Sequence, residues 1–273
     1  MEYEIKPKDR ISMDWSELWH YKELFYFFTW RDIKVKYKQT VLGFLWVILQ
    51  PIVMTILLSI SVGAIISGQG HMSLPYPVFA MSGLLIWNIF SSGLMNAGNS
   101  MVTNANIIKK IYFPRLIIPV SAVLVSLFDF LPSLVIFIIL LFYYHIQVNI
   151  LLFIPLLVVS ICFTAIATFG LGSLLAALNI KYRDFRYIIP FMIQAFLFLT
   201  PVIYPLSILH TPALRYALAL NPVYGAIELF RFSLTQYSLD MNLLMISFSS
   251  SLFFFITGLY YFRKTEAFFA DLA

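Results

Sequence analysis

WRDIKVKYKQTVLGFLWVILQP, residues 30–51, joins a basic cluster to a long apolar run, and the layout of the chain follows from it. Arg31, Lys34, Lys36 and Lys38 fall within eight residues, and the next charged side chain is Lys109. The stretch 41–66 is apolar for 26 residues. That is about 39 Å of helix, more than the roughly 30 Å of a bilayer's hydrocarbon core. Positive charge set against such a segment marks the end retained in the cytoplasm. The N-terminus is therefore expected inside.

Composition agrees with a membrane setting. The chain is 61% hydrophobic and 11% charged, with a mean hydropathy of +0.87; a soluble domain carries about 25% charge. Long apolar stretches without two-residue alternation point to helices and away from a β-barrel. The net charge of +5 gathers at span ends, where orientation and anionic headgroups account for it and nucleic acid is not needed. Cys162 is the one cysteine and sits in an apolar run, so neither a disulfide framework nor a thiolate metal site is expected. The first 38 residues hold eight Lys/Arg and no uninterrupted apolar core, unlike a cleaved signal peptide.

The fold class expected is an all-α integral membrane protein with six transmembrane helices. Residues 1–38 read as a cytoplasmic segment carrying an amphipathic interface helix at 14–30. Asp14 and Glu17 resemble a capping box there, and five aromatic rings lie between Phe25 and Trp30. Residues 39–273 read as a single transmembrane domain with spans at 41–66, 78–98, 114–144, 150–178, 187–204 and 243–262. The second span is the least apolar, with Asn88, Asn96 and several Ser and Gly; such polarity is buried against other helices or faces water. Two short apolar pieces within 213–234, separated by Asn221-Pro222, are too short to cross and read as a re-entrant outer hairpin. With this layout, 16 of the 18 Lys/Arg lie on the cytoplasmic side, and only Arg215 and Arg231 lie outside. A one-span error would move Lys109, Lys110 and Arg115 out, so the asymmetry supports the count.

A search for catalytic chemistry is nearly empty. Gly63–Gly68 and Gly93–Gly98 have phosphate-loop spacing, but Gln69 and Asn99 stand where lysine is required. The four histidines are scattered, no metal spacing occurs, and no paired carboxylates recur near one membrane face. Asp129, midway along the third span, has two readings: an inter-helix or capping bond beside Pro132, or a proton relay in a proton-coupled carrier. Glu228 and Arg231, three apart, read as an ion pair fixing the hairpin or as a charged part of an outer gate. Tyr76, Trp87, Phe90, Phe198, Tyr204 and Tyr224, near the outer ends of spans, are candidates for a platform on which sugar rings stack.

Five stretches together resemble one family: RDIKVKYKQTVLGFLWVILQP (31–51), IIKKIYFPR (107–115), LNIKYRDFRYIIPFMIQAFLFLTPVIYP (178–205), LNPVYGAIELFRFSL (220–234) and YFRKTEAFFADLA (261–273). In this order they are similar to the membrane subunit of polysaccharide and polyol-phosphate ABC exporters, the type-two permeases that export O-antigen, capsule or teichoic acid. The resemblance implies a homodimer of this permease bound to two copies of a separate ABC ATP-binding subunit, which would hold the ATP and magnesium. It implies no cofactor or metal in this chain, a lipid-linked polysaccharide as cargo, and a bacterial cytoplasmic (inner) membrane location with both termini inside. It also implies that Lys109, Lys110, Tyr112 and Arg115 couple to the ATPase, with Arg183, Asp184 and Arg186 as a shorter second contact. Pro222, Tyr224, Glu228 and Arg231 would belong to the outer gate. Arg31, Lys34, Lys36 and Lys38 would lie below a lateral opening between the first and fifth spans and attract the phosphate of the lipid-linked end, with Pro51 loosening the first helix. A drug or small-lipid exporter of the same fold is the first rival, a proton-coupled carrier the second, and an embedded glycosyltransferase the last.

Overall fold

The least apolar of the expected spans stands at the centre of the bundle. The computed structural model describes residues 19–38, 43–67, 73–208, 211–235, 239–266 and 269. In it helix α3, Tyr76–Thr103, has 78% of its most apolar stretch buried. Its buried serines donate to their own helix: Ser82 to the Phe79 carbonyl at 2.7 Å and Ser100 to Ala97 at 2.6 Å. The polarity is thus buried with its donors satisfied, which removes most of its cost.

Around α3 stand α2 (Phe44–Ile66), α4 (Ile117–Tyr143), α5 (Ile150–Lys181) and α9 (Met241–Glu266); with α3 these are the five described helices long and apolar enough to cross a bilayer. α4 and α5 pack on α3, and α9 packs on α5. The α5–α9 crossing depends on glycine, because a Cβ on Gly258 would lie 2.0 Å from the Gly170 carbonyl oxygen. Close backbone approach of this kind is how helices associate where lipid removes the hydrophobic drive. α2 is the loose one, with only 11% of its apolar stretch buried. It runs through Pro51 and widens instead at a π-helical turn, Ser59–Gly63, eight residues beyond the position expected to loosen it.

The N-terminal helix differs from the expectation. α1 spans Lys22–Lys38, so it does not stop at Trp30 but continues through the basic cluster; residues 14–18 of the expected helix lie outside the described residues. The segment 31–38 contains no Gly or Pro, and Lys36 and Lys38 in the last turn complement the helix dipole. Its Phe28 ring lies 5.5 Å from that of Phe113, while Lys36 and Tyr37 bond to Asp129. Asp129 is about 18 Å of helix rise beyond Ile117. α1 therefore leans up along α4.

The expected span at 187–204 is also corrected. Helix α6 is Phe185–Phe198, 14 residues, about 21 Å. Pro201 lacks the N–H that would continue it and biases Thr200 away from helical geometry, so 199–205 becomes a turn. A hairpin follows, α7 (Pro212–Ala219) and α8 (Tyr224–Thr235). One buried cluster brings together Phe28, Ile108, Phe113, Ile180, Phe262 and Phe269. The ends of α5 and α9 and the 104–116 connection thus share one end of the bundle. The segment between Lys181 and Met241, which includes the short α6, joins that end to the start of α9.

Candidate functional site

The shared end carries the first set of expected site residues. Beyond the buried cluster the connection between α3 and α4 projects, with Lys109 and Lys110 exposed, Ile111 61% exposed and Tyr112 77%. An apolar–aromatic knob flanked by lysines is the kind of surface a protein partner takes up. Arg115 is not part of the knob. Its guanidinium donates to the backbone carbonyl of Glu266, its own N–H donates to Glu266 Oε1 at 3.1 Å, and it lies 6.0 Å from the centre of the Phe269 ring. Glu266 in turn accepts from Arg263 at 2.7 Å. On the other flank Arg31 donates to Asn104 Oδ1 at 2.8 Å. The base of the projection is held by α1 and α9, and Arg115 positions it. Glu266, Phe269 and Asn104 were not singled out in the sequence, because nothing local marks a clamp made across 151 residues.

Arg183, Asp184 and Arg186 lie at the same end, all exposed, the first two in the turn before α6 and Arg186 in its first turn. Arg183 and Arg186 line an open groove of about 400 Å³ that also includes Asn179 and Tyr187, while Asp184 is not among its lining residues. Asn179 is fixed, its Nδ2 donating to the Gly98 carbonyl at 2.9 Å and to Asn99 Oδ1 at 3.1 Å.

The basic cluster of α1 is divided. Arg31 pairs with Asp32 at 2.6 Å as well as with Asn104. Lys36 pairs with Asp129, which also accepts the Tyr37 hydroxyl. Burial first, then the bond to Asp129 and its charge, push the Tyr37 phenol above its usual range, so it remains a donor at neutral pH. Lys34 and Lys38 stay on the exposed side beside Phe27 and Trp30, with the Lys34 ammonium 5.3 Å from the Trp30 ring. For Asp129 the structure shows the inter-helix bond. It stands at the mouth of a cleft of about 320 Å³ between α2, α3 and α4, lined by Gln50, Asn88, Ser91, Ser92, Ser126 and Ser133. The Ser91, Ser92 and Ser126 hydroxyls donate to carbonyls of their own helices, and with the Gln50 and Asn88 amides they give the cleft a polar lining. Asn88 was visible as an oddity in the second span; the serines of α4 were not.

At the opposite end three of the expected gate residues, Pro222, Tyr224 and Arg231, are buried, and Glu228 is half-buried. Pro222 is buried and Tyr224 is 2% exposed. The turn before α8 is stitched to α9 and to the turn after α6: Ser247 Oγ donates to the Asn221 carbonyl at 2.9 Å, Ser250 Oγ to the Leu220 carbonyl at 2.6 Å, and Asn221 Nδ2 to Thr200 Oγ1 at 2.6 Å. Arg231 does more than pair with Glu228, which it reaches at 3.4 Å. It donates to the carbonyls of Pro201, Phe79 and Val202 and to Ser82 Oγ, with its guanidinium 3.6 Å from the Phe79 ring centre. Of the aromatics expected to form a sugar platform, Tyr76, Trp87 and Phe90 are 4%, 4% and 0% exposed. Their rings pack in the core, and Tyr76 donates to the Ile203 carbonyl at 2.8 Å. Tyr204 donates to the Phe198 carbonyl at 3.0 Å. Phe198 is open, at 63% exposed, and completes an exposed stripe on α6 with Tyr187, Phe191 and Gln194.

Comparison with known proteins places these features in context. The profile of the family described as ABC-2 type transporter matches residues 23–235. An O-antigen export system permease protein RfbA from Klebsiella pneumoniae is 27% identical over 245 residues, covering 89% of this chain and 92% of the relative. A second Klebsiella pneumoniae protein of the same name is 28% identical over the same shares. One from Myxococcus xanthus is 30% identical over 210 residues, 76% of this chain and 78% of the relative.

Proposed function

This chain belongs to the ABC-2 type transporter family, and from that premise we propose that it is the permease subunit of an ATP-driven exporter moving a lipid-linked O-antigen polysaccharide across the bacterial cytoplasmic membrane. The observation that carries the reading is the 27–30% identity, over most of its length, to permeases named for O-antigen export. The chain works as a homodimer on two copies of an ATP-binding subunit, which supplies the nucleotide and metal. In this reading α6 and the turn after it form the sixth crossing, α1 is a tilted interface helix, and α7–α8 are a re-entrant hairpin on the outer side. Both termini then lie in the cytoplasm.

Force enters at the projecting knob. ATP-driven movement of the partner pushes Lys109, Lys110 and Tyr112, and the clamp formed by Arg115, Glu266 and Phe269 passes that push to α4 and α9. α2, the least packed helix, moves most easily, which opens a lateral path for the lipid. The polymer follows the α6 stripe and the polar cleft, while the Arg231 network holds the outer hairpin in register. A capsule or teichoic acid exporter of the same family differs only in cargo.

The test is a deletion strain and a reconstituted complex. Loss of this permease should leave lipid-linked polymer accumulating on the cytoplasmic face, and the purified complex should hydrolyse ATP faster when that polymer is supplied. A deletion strain with normal surface O-antigen, or a complex that transports without any ATPase subunit, would overturn the reading, the second in favour of a carrier.

A further inference from the structure

Arg31, Arg115, Arg231 and Arg263 each bond to a carboxylate, an amide or a backbone carbonyl. Arg183 and Arg186 differ from them. Among the described residues neither guanidinium makes an ion pair or a hydrogen bond, yet both border the same open groove. The wall between them is rigid: Asn179 is tied to α3 through Gly98 and Asn99, and Ile180 is embedded in the cluster at that end. Tyr187, 79% exposed, places a phenol on the rim. Two permanently charged, planar donor forks facing one cavity call for an anion with several acceptor oxygens. The groove lies at the end that carries the basic clusters, the level of phospholipid headgroups.

We infer that the Arg183–Arg186 groove is a binding site for a lipid-borne phosphate. The site replaces the reading of these arginines as a second ATPase contact. It also shifts phosphate recognition away from the α1 cluster, where Arg31 and Lys36 are already held by Asp32, Asn104 and Asp129. The phosphate can come from a membrane phospholipid or from the carrier of the exported polymer. Only the second source rests on the exporter reading.

The test uses the permease with its ATPase partner in zwitterionic nanodiscs, titrated with polyprenyl phosphate, with phosphatidylglycerol and with inorganic pyrophosphate as competitor. Arg183→Gln/Arg186→Gln should weaken polyprenyl phosphate binding about tenfold or more, since each charged bond lost is substantial. Arg183→Lys/Arg186→Lys should restore it in part, and the charge-matched control Lys22→Gln/Lys264→Gln, at two exposed lysines outside the groove, should bind as wild type. Pyrophosphate should compete on the wild type alone. Arginine-dependent binding of phosphatidylglycerol as well would assign the groove to bulk lipid and still support it; binding confined to polyprenyl phosphate would assign it to the cargo carrier. Equal affinity in the arginine variant, or equal loss in the lysine control, with monodisperse protein in each case, would overturn the site. Export that continues without arginine-dependent binding refutes the groove alone. Phosphate binding without export refutes the exporter reading alone.

Discussion

Arg231 is 6% exposed, and it keeps its charge there because its donors face three carbonyl oxygens, a hydroxyl and Glu228. A buried charge deprived of such partners costs several kcal/mol. Lysine cannot reproduce the fork, and Gly83 leaves the space that the guanidinium occupies, since a Cβ there would lie 2.7 Å from Nη2. Arg231→Lys and Arg231→Ala should therefore each lower the stability of the purified permease by about 3 kcal/mol. Glu228→Gln should cost far less, because Glu228 is one partner of several and its side chain is 25% exposed. Thermal unfolding in detergent measures the difference, and equal losses in the two sets of variants would show that the ion pair alone matters. The sequence showed Glu228 and Arg231 as a pair at helical spacing and could show no more, because Phe79 and Val202 reach Arg231 only after folding. The same holds for Asp129: its cost inside a span was legible, its partner Lys36, 93 positions away, was not.

At the scale of elements, hydropathy and charge placed the long helices well, since 18 or more apolar residues have few alternatives to a membrane-spanning helix. Boundaries went astray where competing signals met. Lysines that mark a span's cytoplasmic edge are also good helix formers, so α1 ran on to Lys38; in 187–204 an apolar run hid a proline stop. The connection between α3 and α4 shows what a local reading misses. IIKKIYFPR (107–115) reads as one basic element, but only its middle projects, while Arg115 belongs to a clamp with Glu266. Arg263→Ala and Glu266→Ala should each reduce the ATPase activity of the complex, and the double variant should be little worse than Glu266→Ala alone, because Arg263 acts on the clamp through the Glu266 carboxylate. Lys110→Ala, acting at the partner surface, should add to either in full. Double-mutant cycles on ATP hydrolysis measure this, and groups that do not share a contact combine additively. Additivity between Arg263 and Glu266 would mean that Arg263 acts on the partner directly and not through Glu266.

The whole molecule leaves two kinds of apolar surface open. α4 and α5 expose aliphatic side chains such as Ile139, Leu151 and Ile154, which suit lipid tails. α6 exposes Tyr187, Phe191, Gln194 and Phe198 at positions four, three and four apart, one face of a helix. A face of three aromatic rings and an amide suits sugar rings, whose apolar sides stack while their hydroxyls need partners. Among the described residues this face is open, and in the proposed homodimer a second copy opposite it would close a conduit. If the α6 stripe lines a water-filled path in the assembled exporter, then in a Cys162→Ser background a membrane-impermeant maleimide should label Gln194→Cys and Phe191→Cys. Ile139→Cys and Ile154→Cys, on the lipid side, should stay unlabelled, because thiolate does not form in hydrocarbon. Cys162 is itself exposed on α5, so its removal is required before the comparison can be read. Labelling should rise when ATP is bound if the path opens with the partner's closure, and fall when polymer occupies it. Equal labelling of all four positions would mean that the protein is not assembled in the bilayer. Labelling of Ile139→Cys in preference to Gln194→Cys would put the path on the α4 side and make the aromatic stripe a lipid-facing surface.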